Sequence, residues 1–253
     1  MEAGEHALMS RAEERHWWYV GLRELLARLL PRAVRAPRPR VLDAGCGTGA
    51  QLRLVRDVLR PAYLGGFDTS AEALALARAK APEADLYQSD VCAPEIRADG
   101  LDLVLSVDVI YVPGAARARP GLVRLAERLD RGGVMLLHLP AYRWLYSEHD
   151  LAVHGSERFT AREVGALLEG LGLRVERLTY RMCFLFPLVV LSRLPRLARP
   201  GGPARPVRSD LHEAPHPRVD AALLAALRAE NAALLAGARL PFGSSVLALA
   251  RKT

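Results

Sequence analysis

Lysine is almost missing from this chain. Lys80 and Lys252 stand alone among 35 basic residues, against 28 acids and a formal net charge of +7. A positive balance permits contact with nucleic acid or an anionic membrane. The near-exclusive use of arginine, beside heavy alanine and leucine use, is also what a GC-rich coding sequence produces. No block of interleaved basic and aromatic residues accompanies it, so nucleic acid is an unlikely partner. Cysteine is scarce too: Cys46, Cys92 and Cys183 are isolated and lack C-x-x-C spacing. This excludes a disulfide framework and a zinc ribbon and fits a reducing, cytoplasmic setting. Nor is there a long apolar run. The first 30 residues carry five glutamates, so no signal peptide is expected, and the apolar stretch 182–191 is too short to cross a bilayer.

What is present is the nonapeptide Val41-Leu42-Asp43-Ala44-Gly45-Cys46-Gly47-Thr48-Gly49. Val41 and Leu42 end a short apolar strand. Gly45, Gly47 and Gly49 leave the next turn without side chains, so a ligand can lie on the backbone as the chain bends into a helix. A dinucleotide turn spaces its glycines G-x-G-x-x-G and seats a pyrophosphate on the helix N-terminus. Here the spacing is G-x-G-x-G. Asp43, two residues before the first glycine, would repel a pyrophosphate but suits a ligand carrying an ammonium group. Cys46 is read as a small residue filling the turn, not as a nucleophile.

Acids then recur at strand–helix spacing. A helical stretch (51–59) leads to a second strand, Tyr63 to Asp68, whose acid lies 19 residues past Gly49. A carboxylate there can accept hydrogen bonds from both ribose hydroxyls. Thr69 and Ser70 start the next helix as capping residues do. A third strand (85–88) ends in Ser89-Asp90-Val91, a fourth (101–107) delivers Asp108, and Arg131-Gly132-Gly133 introduces a fifth (134–139).

With these residues in this order, the chain resembles the class I S-adenosylmethionine-dependent methyltransferases. The resemblance implies an α/β, Rossmann-like fold: a seven-stranded, mostly parallel sheet with an antiparallel last strand and helices on both faces. It implies S-adenosyl-L-methionine as cofactor, S-adenosyl-L-homocysteine as product, and Asp43, Gly45, Cys46, Gly47, Gly49, Asp68, Thr69, Asp90, Val91 and Asp108 around the nucleoside. Asp90 would meet the adenine amino group and Val91 would pack on the ring. Family members that methylate base amino groups carry Asn or Asp, Pro-Pro and an aromatic after the fourth strand. This chain has Ser106-Val107-Asp108-Val109-Ile110-Tyr111 instead. Two other classes stay open: a silent S-adenosylmethionine-binding regulatory or assembly subunit, and an NAD oxidoreductase. An RNA or protein methyltransferase is less favoured.

Four segments follow: a helical cap (1–40), the cofactor-binding core (41–180), an insertion or lid (181–243) and the last core strand (244–253). In the cap, a helix over residues 10–30 is expected to end at Pro31. Its His16-Trp17-Trp18-Tyr19 run resembles the N-terminus of a bacterial methyltransferase group found near glycosyltransferases. One indole should pack inward, while the other, with Tyr19, lines or lids the cleft; Trp18 is the candidate for the cofactor. Past strand five, the loop from Pro140 to Phe159 gathers aromatics, acids, His149 and His154 at the sheet edge where open α/β sheets bind ligands. It reads either as an acceptor-binding wall or as a solvated loop anchored by its aromatics. Thr160 and Glu163 form a capping box for the helix that follows.

The insertion begins with apolar residues 182–191. Arg193, Arg196, Arg199, Arg205 and Arg208 follow with no acid before Asp210. That pattern suits a substrate lid, and it also suits peripheral membrane contact through 182–208. An apolar helix over 221–235 should pack against it. The expected chemistry is in-line methyl transfer to a small-molecule or lipid-linked acceptor at oxygen, with positioning supplying roughly 7–11 kcal/mol of the barrier. A hydroxyl acceptor needs a base. The candidates are His149, His154, Asp108 and Tyr111. No acid–histidine cluster has metal-site spacing, so metal independence is expected.

Overall fold

The computed structural model describes residues 5–147, 150, 151, 154–197 and 217–253. Seven strands, β1 (Arg40–Ala44), β2 (Tyr63–Asp68), β3 (Asp85–Gln88), β4 (Leu101–Val107), β5 (Leu129–Pro140), β6 (Leu173–Arg181) and β7 (Ser245–Lys252), form one sheet. Their order is β3-β2-β1-β4-β5-β7-β6. The first five are parallel, and β7 runs antiparallel between β5 and β6. This is the Rossmann-like arrangement expected above.

Period-two alternation splits the strand residues between two cores. Leu42, Val104, Met135, Leu137, Val246 and Ala248 face α5 (Ala115–Arg128) and α6 (Ala161–Glu169). Val41, Leu103, Leu105, Leu136, Leu247 and Leu249 face α2 (Trp17–Ala33), α3 (Ala50–Leu59) and α4 (Ala71–Lys80). Central strands buried on both sides read as continuous apolar runs, as parallel sheets require.

Boundaries differ from the expectations in three places. The N-terminal helix is two helices, α1 (Glu5–Arg15) and α2, because the extended backbone of His16 breaks it and its Nδ1 accepts from the Trp18 amide. Pro31 lies inside α2, which runs to Ala33; in the last turn a missing amide costs a single helical hydrogen bond. Strand β5 begins at Leu129, earlier than residue 134, because Leu129 already pairs with Leu101.

The insertion contributes α7 (Phe186–Leu197) and α8 (Pro217–Leu235). Helix α8 lies on α2, not on α7 alone. Asn231 Nδ2 donates to the Gly21 carbonyl (2.8 Å), and Arg228 pairs with Glu24 (2.6 Å). Contact is close because Gly21 has no side chain: a Cβ there would sit 2.7 Å from Leu227 Cδ1. Gly21→Val should therefore lower unfolding free energy by about 1–3 kcal/mol, measured by urea denaturation. Leu227→Ala in the same chain should recover part of that loss, the non-additivity of a direct contact.

Candidate active site

The carboxyl ends of β1, β2 and β4 open into a cleft of about 960 Å³. Ligands in open α/β sheets bind at this edge. All three turn glycines have positive φ: Gly45 +85°, Gly47 +51° and Gly49 +85°. Their missing side chains do different work. A Cβ on Gly45 would strike Val109 at 2.4 Å, and one on Gly49 would lie 2.8 Å from Ala77 Cα, where α3 crosses α4. At Gly47 the nearest atom would be Met9 Cε, at 3.9 Å. Only Gly47 leaves its space to a ligand, and Gly49 does not line the cleft. The expectation that all three clear a path for the ligand is corrected to one.

Three carboxylates converge beside this turn. Asp68 accepts from the Gly47 amide at one oxygen and the Ser70 amide at the other, both at 2.9 Å. Glu13, buried on α1, accepts from the Thr48 hydroxyl and from Lys80 Nζ (2.8 Å), and Lys80 also reaches Thr48 Oγ1 (3.1 Å). Asp43 is buried, and its Oδ2 has no hydrogen-bond partner among the described residues. Burial first, then the charges of Asp68 and Glu13, push its pKa up to about 7. A buried polar atom left without a partner costs about 1–3 kcal/mol. A cationic ligand group at Asp43 would remove that cost, so the residues present fit an amino-acid-bearing sulfonium nucleoside. The Cys46 thiol is also pushed up, mainly by burial, and keeps its proton.

At the nucleoside end, Thr69, Asp90 and Val91 line the cleft. Asp90 Oδ1 accepts from the Cys92 amide (2.8 Å). Val91 is held from behind by α5, where a Cβ on Gly121 would fall 1.8 Å from the Val91 carbonyl oxygen.

Beyond β4 the walls change character. Asp108 adopts a left-handed φ of +54°, and its amide donates to the His138 carbonyl (2.9 Å). Its two carboxylate oxygens lie 3.0 and 3.1 Å from His138 Nδ1. His138 is fully buried, with the Trp18 ring edge-on at 5.8 Å, and its Nε2 has no hydrogen-bond partner among the described residues. A ring nitrogen facing a carboxylate carries the hydrogen, so Nδ1–H donates to Asp108. Tyr19 and Tyr111 line the same wall; burial, with Asp108 nearby, pushes both phenols up, so they stay protonated. Behind the wall, Arg181 is wholly buried, none of its three side-chain nitrogens has a hydrogen-bond partner among the described residues, and its pKa falls to about 10 through burial.

The 140–159 loop is only partly what the sequence implies. Asp150 and Arg158, both buried, pair through 2.8 and 3.0 Å hydrogen bonds and line the cleft. His154 stands exposed at its edge with φ +56°. His149 lies outside the described residues. The loop aromatics do not line the cleft: Tyr142 stacks on Tyr180 (5.1 Å) and Trp144 (5.8 Å), and Phe159 is buried in the core. Both Trp17 and Trp18 line the cleft, where one was expected to pack inward. Among the described residues, no group of three or more His, Cys, Asp or Glu is placed to hold a metal ion.

Sequence reasoning missed Glu13, Lys80 and His138. Two carried a signal: one of two lysines in an arginine-rich chain, and one histidine in the apolar strand Val134-Met135-Leu136-Leu137-His138-Leu139. Glu13 carried none, since only tertiary contact brings α1 to the turn.

Sheet order and glycine turn define the class I methyltransferase fold, and comparison with known proteins agrees. Residues 41–133 match the family model described as a methyltransferase domain. The trans-aconitate 2-methyltransferase of Variovorax paradoxus is 35% identical over 123 residues, covering 47% of this chain and 44% of that protein. The Deinococcus radiodurans enzyme of the same name is 33% identical over 139 residues, covering 53% and 48%. The chain thus spans less than half the length of these relatives. A Clostridium acetobutylicum S-adenosylmethionine-dependent methyltransferase structure superposes with a TM-score of 0.60 at 10% identity, covering 92% of this chain and 91% of that one. The putative methyltransferase in complex with the Haloferax volcanii Trm112 activator gives 0.58 at 18% identity, covering 99% and 94%. Residues 41–133 are thus similar to a methyltransferase domain, and the whole chain shares its fold with S-adenosylmethionine-dependent methyltransferases.

A raised Asp43 pKa has a definite sign. Relative to the unfolded chain, the ligand-free protein loses stability as pH rises from about 4 through about 7, where the buried carboxyl must ionise. A cationic ligand favours the ionised form. S-adenosylhomocysteine binding at pH 6 should therefore release a proton and tighten as pH rises toward 7. Calorimetry in two buffers of different ionisation enthalpy checks this, and Asp43→Asn should abolish the proton release.

Proposed function

We propose that this chain transfers the methyl group of S-adenosylmethionine to a hydroxyl oxygen of a small-molecule or lipid-linked acceptor by in-line displacement. The observation that carries this reading is the Asp108–His138 pair on the cleft wall. The bound cofactor supplies an electrophilic methyl carbon on its sulfonium. Carboxylates and thiolates would accept that carbon unaided, whereas a hydroxyl must lose its proton as the new bond forms. Asp108 takes that proton on a carboxylate oxygen. His138, held by burial and by Trp18, is a positioning residue: its Nδ1–H fixes the carboxylate while the left-handed Asp108 backbone aims it into the cleft.

Trp17, Trp18 and Tyr19 cover this side of the cleft and exclude water from the reacting centre. Asp43, Gly45, Cys46, Gly47, Asp68, Thr69, Asp90 and Val91 hold the nucleoside from the walls; Gly49 supports them through α4. His154 is the rival base, and its side chain has no orienting hydrogen bond among the described residues. The relatives named for trans-aconitate support a small-molecule acceptor. Their acceptor does not transfer directly, because the matches cover only 47% and 53% of this chain.

Incubation with labelled S-adenosylmethionine and fractionated cell extract should place label in a small-molecule or lipid fraction as an alkali-stable methyl ether. Alkali-labile label, as a methyl ester of trans-aconitate gives, would move the acceptor atom to a carboxylate and sink the base assignment. On the identified acceptor, Asp108→Asn should lower kcat by about 10²–10⁴-fold with S-adenosylhomocysteine affinity little changed. His154→Ala should retain most of the rate.

A further inference from the structure

The buried Arg181 guanidinium carries five N–H donors, and none of its nitrogens meets an acceptor among the described residues. Burial lowers its pKa only to about 10, so the group is a cation at neutral pH. Burying a charge without hydrogen bonds is costly, and an oxyanion placed against it removes that cost. The two acids whose charges act on it are occupied elsewhere. Glu230 accepts from the amides of Met182 (2.6 Å) and Phe184 (3.0 Å), and Asp108 is held by His138 Nδ1 (3.0 Å).

The fold puts this cation beside the cleft. Strand β7 is antiparallel to both β5 and β6, so β6 points the same way as the first five strands. Arg181 is its last residue and therefore ends at the carboxyl edge of the sheet, where the cleft opens. Ser245 lies opposite Arg181 on β7 and opposite Pro140 on β5, and residues directly opposite share one sheet face. Ser245, Pro140 and the next residue along, Met182, all line the cleft. On the helix side, a Cβ at Gly21 would fall 3.4 Å from Arg181 Nη2, and Leu22 after it lines the cleft too. Arg181 thus sits just behind the wall, with cleft-lining residues around it. The unbranched thioether of Met182 is the adaptable part of that wall.

We propose that Arg181 binds an oxyanion of the acceptor, a carboxylate or phosphate group that reaches the guanidinium past the Met182 side chain. The planar fork of donors matches either group in a bidentate contact. Resting on the methyl-transfer reading above, the site narrows the acceptor to a hydroxyl compound that carries a negative charge.

The test titrates the full chain, saturated with S-adenosylhomocysteine, with methyl phosphate and with acetate. The unfolding temperature is compared with that in chloride at matched ionic strength. At least one probe should raise it above chloride, and the tighter of the two names the oxyanion. In the neutral variants Arg181→Met and Arg181→Gln, affinity for that probe should fall at least about tenfold, the loss of one charge-assisted hydrogen bond. Their S-adenosylhomocysteine affinity should stay at the wild-type value, and a variant that keeps it is folded and decides the comparison. Labelled product from cell extract should be retained on an anion exchanger, and the folded variant should raise KM for the acceptor more than it lowers kcat. No rise in the wild type above chloride, an equal rise in the folded variant, or an uncharged labelled product overturns the anion site. Absence of methyl transfer to any fraction, with probe binding present in the wild type and lost in the variant, would instead overturn the methyl-transfer reading and leave the anion site standing.

Discussion

A carboxylate oxygen buried without a partner, at the end of the first strand, governs the ligand chemistry of this protein. Three acids meet around the glycine turn, and two of them are compensated. Asp68 takes two backbone amides, and Glu13 takes Thr48 and Lys80. Asp43 alone is left with an orphaned oxygen, and burial beside two like charges raises its pKa toward neutrality. Such a site disfavours a pyrophosphate and stabilises a cation. Glycine spacing and this one buried side chain together separate the G-x-G-x-G turn from a phosphate-seating one.

The turn holds its shape through packing on both sides. Gly45 admits Val109, and Gly49 admits the backbone of Ala77, so strand β4 and helix α4 both close on it. Helix α1 then reaches over through Glu13, bringing a segment far away in sequence onto the cofactor end of the cleft. The insertion does the equivalent on the other side, where α8 rests on α2 and α7 forms part of the cleft wall. The two stretches outside the strand–helix core thus build walls of the same cavity.

The acceptor half shows how far pattern reading reaches. Histidines in the 140–159 loop look like bases because loops carry chemistry, yet the histidine that touches a cleft carboxylate is His138, inside a strand. A buried polar residue in an apolar strand is a local inconsistency, and such inconsistencies concentrate at functional sites. The loop's aromatics, read as a wall for the acceptor, instead pack on Tyr180 and Phe186. Alternation along a strand tells which residues share a face. It cannot tell which way an irregular loop presents its side chains.

By itself the sequence determined the strand–helix alternation, the glycine turn and the order in which acids end the strands. These depend on periodicities of two and 3.6 residues and on short-range spacing within single strand–turn–helix units. The Glu13–Thr48–Lys80 network, the Asp108–His138 pair and the outward face of α7 were decided only by tertiary structure. Each joins or orients elements whose separation along the chain leaves no periodic signal, and their contacts exist only once the sheet has brought those elements together.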